Sequence, residues 1–455
     1  MIASDRKALR VGSAKLVVDG TDETVCRKAE ISLSPGRVKA RALSQLVALS
    51  VETYNAALEH RRGAWARAGV SVSRFDQFNE IPDVRRCRPD VVRFGNGPIR
   101  GAISRVDEAF SAFFARRAAS ETPGYPRFKS RRRLRTVFYD EPVNWALRGL
   151  GGPHPGLYVK GVGEIALTGN AARQLWRLLE RGGEPRILTI TRTASGSWRA
   201  TVGFRGVKAE PLSASDQVGG VDRGVTVTAA LPDGTLLVMP KFLGEAREAI
   251  ADIGRQRARL PERSVEWTRC NRALAKVHAT ARRRTENWAR HCARDIVLRY
   301  GVIVLEDLNL TAMTRSARGT PERPGKGVAA KKGLNRSLQE AALGRLAYWI
   351  CVRAEEAGRR VWKVNPKNTS RECAACGHTE SANRHQSHFA CRRCGHTEHA
   401  DVNAAQVLSA RGQAADAAWV ASGRPLLSRP VPRNRRRKEG VIAVRAGSAR
   451  HAAVA

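Results

Sequence analysis

The chain of 455 residues has no run of 18 apolar residues, so it offers no segment that would span a bilayer. Its first residues, MIASDRKALRVGSAK, lack the apolar stretch that a secretory signal needs. No internal repeat of the solenoid or propeller kind is present. Of nine cysteines, five (Cys26, Cys87, Cys270, Cys292 and Cys351) are scattered, and an odd total without framework spacing excludes a disulfide scaffold. The strongest deficit is acid: 42 Asp plus Glu face 80 Lys plus Arg, leaving a net charge of +38 and a pI near 11.2. That surplus repels itself unless a polyanion neutralises it, which makes nucleic acid the natural partner. The excess runs through the whole chain rather than along one amphipathic helix, which disfavours a membrane-surface protein. The expectation is a protein of a reducing cytoplasm, bound to nucleic acid and without membrane contact.

Hydrophobic content of 42% is ordinary, and the length allows several compact units. Residues 1–30 are polar and weakly patterned. Leu43, Leu46, Val47, Val51, Tyr54 and Leu58 follow helical spacing, as do Ile103, Val106, Phe110, Phe113 and Phe114. In TPGYPRFKSRRRLRTVFYD, Pro123, Gly124 and Pro126 exclude a helix, and Tyr125 and Phe128 are interleaved with six basic residues. Short β-prone runs over 134–207 read as a small antiparallel barrel. Pro232-Asp233-Gly234 marks a turn between two β-rich runs. Arg-rich helices follow, broken at Pro261, and then the buried strand Val302 to Leu305 meets Glu306 and Asp307. A Gly/Pro/Lys-rich stretch over 311–333 precedes a single helix expected from about 336 to 357, with Leu338, Leu346, Trp349 and Ile350 on one face. The strand RRVWKV comes next, and the last thirty residues read as a basic disordered tail.

Cys373-x2-Cys376 and Cys391-x2-Cys394 are separated by fourteen residues. Each CxxC turn places two thiolates on one side of a tetrahedral ion, and Gly377 and Gly395 suit the turns that follow. Four cysteines close the shell, so the spacing predicts a structural zinc with no open position for catalysis. His378, His385, His388, His396 and His399 read as exposed or facing nucleic acid rather than as ligands.

Three carboxylates share an unusual setting. Asp222 lies in the apolar stretch GGVDRGVTVTAAL, Glu306 ends VIVLE, and Asp401 opens the helical pattern DVNAAQVL. Buried carboxylates need a positive partner, and a pair of divalent cations performing in-line phosphodiester hydrolysis would satisfy all three. Taken singly, Asp222 also reads as a turn residue, Glu306 as an arginine's partner and Asp401 as a helix N-cap. Strand alternation puts Glu306 and Asp307 on opposite faces, so only one can face such metals, and periodicity does not choose between them.

GGVDRGV, VIVLEDLNL, NPKNTSRECAACGH, CRRCGH and ADVNAA, in that order, resemble the TnpB (OrfB) proteins of bacterial insertion sequences, which are also similar to compact type V CRISPR effectors. TYNAALEHRR and GYPRFKSRRR extend the resemblance over roughly 30–410. It implies a multidomain α+β, RNA-guided DNA endonuclease with an RNase H-like (RuvC) nuclease domain, an inserted zinc ribbon, and an N-terminal wedge barrel split by a helical recognition module. On this chain the resemblance implies an N-terminal extension and first wedge strand over 1–40, the recognition module over 41–130 and the wedge barrel over 131–212. The nuclease would occupy 213–365, with a helical insertion at 243–300; the ribbon would fill 366–399, the last nuclease part 400–424 and the tail 425–455. Asp222, Glu306 and Asp401 would be the catalytic carboxylates and would hold Mg²⁺, two ions in number, which selects Glu306 over Asp307. Arg127, Lys129, Arg131, Arg132 and Arg133 would grip guide RNA or heteroduplex phosphates, with Tyr125 and Phe128 packing rather than stacking on bases. The partners implied are a guide RNA and double-stranded target DNA. Arg223, beside Asp222, is expected to face away from the metals, and residues 1–27 and those after about 425 have no placed counterpart. A miniature type V effector shares all these features. A zinc-ribbon DNA-binding regulator without cleavage is the alternative from another class.

Overall fold

The computed structural model describes residues 9–319 and 323–422; the expected basic tail over 425–455 and the first eight residues lie outside the described residues. At the centre of the C-terminal half is a five-stranded sheet in the order Leu9–Val11, Ala14–Val18, Arg360–Val364, Val302–Glu306, Val218–Val221. The last three strands are mutually parallel and the two N-terminal ones antiparallel. Val302–Glu306 is buried at every position, as a central parallel strand covered on both faces should be. Alternation splits its side chains: Ile303 and Leu305 pack with Ile296, Val297, Leu346 and Ile350 from the helices Val265–Arg299 and Leu343–Glu356. Val302 and Val304 turn to Leu408 and Ala415 of the helix Ala400–Ala421.

That last helix lies unusually close to the sheet. A Cβ on Gly220 would sit 2.1 Å from the Ala405 carbonyl oxygen, and one on Gly412 would sit 2.0 Å from a Val304 methyl. The Gly220 N–H instead donates to Ser409 Oγ at 2.7 Å. The glycines bring the start of the helix over the ends of the strands, which is where Asp401 is needed.

In the N-terminal half the strands Thr24–Leu33, Trp198–Lys208, Glu184–Arg192 and Thr136–Tyr139 form one antiparallel sheet, and Trp145–Arg148, Gly156–Val159 and Gly163–Ala166 form another. The strands expected over 134–207 are thus shared between two sheets, with the helix Gly169–Glu180 between them in sequence. Both sheets enclose one core with the helices Arg37–Ala68 and Gly97–Ala118, built on Leu43, Leu46, Leu58, Ile99, Val106, Val137, Leu157, Leu188 and Phe204. Arg181 and Arg27 tie this half to the other through Glu356 Oε1 at 2.6 Å and Glu355 Oε2 at 2.9 Å.

Two elements differ from the sequence reading. Residues 1–30 looked unpatterned, yet they supply two strands to the central sheet and begin the long strand Thr24–Leu33. Runs of three and five residues are too short to show a period, and a bulge between Val25 and Arg27 interrupts the third. The helix expected over 336–357 is broken at Ala342, whose φ is +49°, into Val328–Ala341 and Leu343–Glu356. The break lets Leu338, Ala341 and Leu343 cluster with Leu310, while Leu346, Ile350 and Ala354 reach the main core.

Candidate active site and metal centre

The parallel register pairs Val221 with Leu305, so Asp222 stands beside Glu306 at the C-terminal ends of neighbouring strands. Asp222 is held there by reciprocal backbone hydrogen bonds with Ala230, at 3.1 and 2.8 Å. Asp401 arrives from above, in the first turn of Ala400–Ala421. The N-cap of that helix is His399, whose Nδ1 accepts from the Asp401 N–H at 3.2 Å, so the Asp401 carboxylate has no capping duty. Asp222 feels the other two acids: burial, then the charges of Glu306 and Asp401, push its carboxyl up to about 7, against Arg384 and Arg223. Burial also raises Glu306, with Arg223 and Thr369 opposing. Asp307 points the other way and forms an ion pair with Lys15. Glu306 acts on Asp222 while Asp307 pairs with Lys15, and Asp222 is the carboxylate that feels both Glu306 and Asp401.

Two arginines complete the site. Arg223 is only 7% exposed. It reaches into the interior, where Nη2 donates to the Glu306 carbonyl oxygen at 2.6 Å and Nη1 to that of Leu343 at 3.4 Å, and its charge still acts on Glu306 and Asp222. Arg384, from the short strand Arg384–His385, donates through Nη2 to Asp401 Oδ1 at 2.8 Å. Sequence reasoning missed Arg384, since nothing in its neighbours distinguishes it from the other arginines.

The four cysteines converge. All four Sγ atoms lie within 4.8 Å of one another, with Cys373–Cys394 at 3.7 Å and Cys376–Cys391 at 3.6 Å. The two knuckles repeat one geometry. The Gly377 N–H donates to the Cys373 carbonyl oxygen at 2.8 Å and Gly395 to that of Cys391 at 3.0 Å, and both glycines have φ of +73°. Four soft donors in a closed set suit zinc, and among the described residues no histidine joins them. His378 instead faces Glu380 at 3.1 Å. The cluster is fixed to the Asp401 helix by Asn403, which is fully buried: its Oδ1 accepts from the Ala374 N–H at 2.9 Å and its Nδ2 donates to the Glu372 carbonyl oxygen at 2.7 Å.

The basic loop lies in the other half. Arg127, Arg131, Arg132 and Arg133 are exposed, and Lys129 is half-buried. Asn55 pins the loop by bonding both the N–H and the carbonyl of Lys129, at 2.8 and 2.9 Å. Tyr125 packs edge-on against Phe110 and Phe113, with centroids 5.6 and 5.3 Å away, yet stays 45% exposed. Arg62 lies over both Tyr125 and Phe128.

Residues 204–317, which contain Asp222 and Glu306, match the OrfB_IS605 family, described as a probable transposase. Residues 344–408, with the four cysteines and Asp401, match the Cas12f1-like TNB domain. A protein of Escherichia coli (strain K12) described as putative RNA-guided DNA endonuclease InsQ is 29% identical over 343 residues, 73% of this chain and 79% of its own length. The chain is TnpB-like. A Streptomyces pristinaespiralis protein described as a putative RNA-guided DNA endonuclease is 24% identical over 401 residues, 87% of the TnpB-like chain and 91% of its own length. The fold is that of compact type V effectors. A Cas12f1 in complex with sgRNA and target DNA superimposes with a TM-score of 0.57 at 12% identity, covering 85% of the TnpB-like chain and 99% of the other. The mini-RNA-guided endonuclease Cas_phi3 gives 0.52 at 9% identity, covering 88% and 93%. Among the described residues no helix of this TnpB-like chain is long and apolar enough to cross a membrane.

Proposed function

We propose that this chain is an RNA-guided, Mg²⁺-dependent DNA endonuclease of the TnpB type, hydrolysing target DNA at Asp222, Glu306 and Asp401. The observation that carries the reading is the burial of Asp222 beside Glu306 at the ends of parallel strands and under the Asp401 helix, where desolvation first and then the charges of Glu306 and Asp401 raise it to about 7. The names of both curated relatives support the activity class. Strand order supports an RNase H-like (RuvC) assignment. Through its bridge to Ala230, the Asp222 strand continues into the antiparallel pair Ala229–Ala230 and Leu236–Leu237, and on its other side it is followed by the two parallel strands.

The residues fit a hard divalent cation. All three donors are carboxylate oxygens, the type magnesium prefers, and a cation would relieve the burial and negative charge that raise Asp222, although among the described residues only the four cysteines have their ligand atoms within 4.8 Å of one another. When bound by Asp222, Glu306 and Asp401, a magnesium pair would supply a nucleophilic water and charge stabilisation for the leaving oxygen. The chain does the rest. Arg223 fixes the end of the Glu306 strand from behind, and Arg384 orients Asp401. The cysteine cluster, as structural zinc, is tied to the Asp401 helix by the Asn403 clamp, and Asn383, beside Arg384, bonds the Arg371 carbonyl oxygen and the Arg392 N–H next to the cysteines. Residues 41–130 and 131–212 serve as recognition module and wedge, and the basic loop at Arg127–Arg133 takes phosphates of the guide or heteroduplex. Sequence is then read by base pairing, which explains a large charge without sequence preference. Sequencing the RNA that co-purifies with the protein tests the guide. Reads from the end of an insertion sequence support the TnpB reading, repeat–spacer reads support a miniature type V effector, and absence of RNA contradicts both.

A further inference from the structure

Of the three parallel strands in the central sheet, Val218–Val221 leads into Asp222 and Val302–Glu306 ends on Glu306. The third, Arg360–Val364, delivers no acid: beyond Val364, which pairs with Glu306, the chain reads NPKNTSRE. In that segment, 365–372, Thr369 alone is buried, at 3% exposure, between an exposed Asn368 and a half-buried Ser370. The loop is built around it. Asn365 Oδ1 accepts from the Lys367 N–H at 2.9 Å. Asn368 takes a φ of +64°, in the left-handed region that asparagine tolerates, and its carbonyl oxygen accepts from the N–H groups of Arg371 and Glu372 at 2.9 and 3.0 Å. From the helix Ala400–Ala421, Arg411 straps the outside. Its Nη1 donates to the carbonyl oxygens of Asn365 and Lys367 at 2.8 and 3.0 Å, and its Nη2 pairs with Glu372.

The side chain so held meets two acceptors. Thr369 Oγ1 lies 3.1 Å from the Pro366 carbonyl oxygen, and the hydroxyl also bonds the Glu306 carboxylate, favouring its charged form. A hydroxyl has one proton to give, and an ionised carboxylate is the stronger acceptor of the two. The Arg223 backbone bonds the same carboxylate. Glu306 is itself only 7% exposed, so water does little to fix it, and two donors on separate segments restrict a side chain with several rotatable bonds. We propose that Thr369 is a positioning residue for Glu306, holding its carboxylate in one orientation ready for a divalent cation. The proposal rests on the nuclease reading and adds to it a hydroxyl from the third parallel strand.

The test compares Thr369→Val, which keeps the shape and removes the hydroxyl, with Thr369→Ser, which keeps the hydroxyl. The first readout is binding of Mn²⁺ alone to guide-free, full-length protein, followed by loss of the free ion's paramagnetic resonance signal. Manganese binds nitrogen and sulfur sites less tightly than zinc, so the cysteine cluster keeps its metal. Asp222→Ala defines the part of the binding that belongs to the carboxylates. Thr369→Val should weaken that part about tenfold, the effect of losing a hydrogen bond to an ionised group, and Thr369→Ser should restore it. The second readout is single-turnover cleavage of a matched target by guide-loaded protein across a magnesium titration. Thr369→Val should raise the half-saturating magnesium about tenfold, with the rate recovering at high magnesium. A role confined to closing the loop would lower the rate equally at every concentration. That result, or manganese binding in Thr369→Val equal to wild type, or equal losses in both variants, overturns the proposal, while the loss in Asp222→Ala leaves the nuclease reading standing. Manganese binding that ignores Asp222→Ala overturns that reading and the positioning role with it.

Discussion

Asp222→Asn should stabilise the magnesium-free protein, although it removes a side chain from the proposed catalytic centre. In the fold the Asp222 carboxyl is pushed from 3.8 to about 7. Roughly three pH units at 1.36 kcal/mol each set an upper bound of about 4 kcal/mol on the disfavour of the charged form. Partial solvent contact brings the expected effect to the order of 2 kcal/mol. The sign follows from the raised value: the stabilising contribution is full below about pH 3.8 and is lost as pH climbs through about 7. Asparagine has no proton to lose and escapes that decline. The assay is hydrogen exchange of the Val302–Glu306 amides in guide-free protein, in buffer stripped of magnesium but retaining zinc. At pH 8 the variant should show roughly 30-fold greater protection than wild type, the equivalent of about 2 kcal/mol. The gap should shrink towards pH 4 and narrow when magnesium is added, since binding to the folded state stabilises it. Equal protection at pH 8, or a gap that ignores pH and magnesium, would refute the argument that Asp222 is buried at a cost beside Glu306 and Asp401.

Cys376→Ser should release the zinc and loosen the segment around Arg384, read as loss of zinc by elemental analysis and faster exchange over 373–400; unchanged zinc content contradicts the four-cysteine assignment. Arg384→Ala should leave target binding intact and lower single-turnover cleavage at least tenfold, because Asp401 loses its orienting partner at 2.8 Å; unaltered cleavage would show the contact to be incidental. Binding of nucleic acid should weaken steeply with added salt, and a flat response would contradict phosphate-dominated contacts on a chain of net charge +38.

The residues whose chemistry is intrinsic were legible in the sequence. Cysteines at CxxC spacing and carboxylates inside apolar runs are conspicuous because burial makes them expensive without a partner. Their arrangement was legible only in part. Alternation separated Glu306 from Asp307, but the meeting of Asp222 with Glu306 depends on a parallel register between strands about eighty residues apart. What escaped was carried by geometry. Arg384 is one of many arginines until a hairpin aims it at Asp401, and Arg223 acts through carbonyl oxygens of other segments. Asn403 looked like a helix residue, yet it clamps the chain entering the cysteine cluster. Ala342 interrupts a run that propensity alone would make one helix, because Leu338 and Leu346 bury in different clusters. Tyr125 was expected to pack and does so against Phe110 and Phe113, while it stays 45% exposed with Arg62 over its ring.

The central claim is that one site, built from Asp222, Glu306 and Asp401, cuts DNA chosen by a guide. Its most direct test is cleavage of a matched double-stranded target by the guide-loaded protein in magnesium, with Asp222→Ala and Asp401→Ala compared side by side. The account predicts that wild type cuts, and that both variants bind the same target and leave it whole. Full cutting by both variants would contradict it.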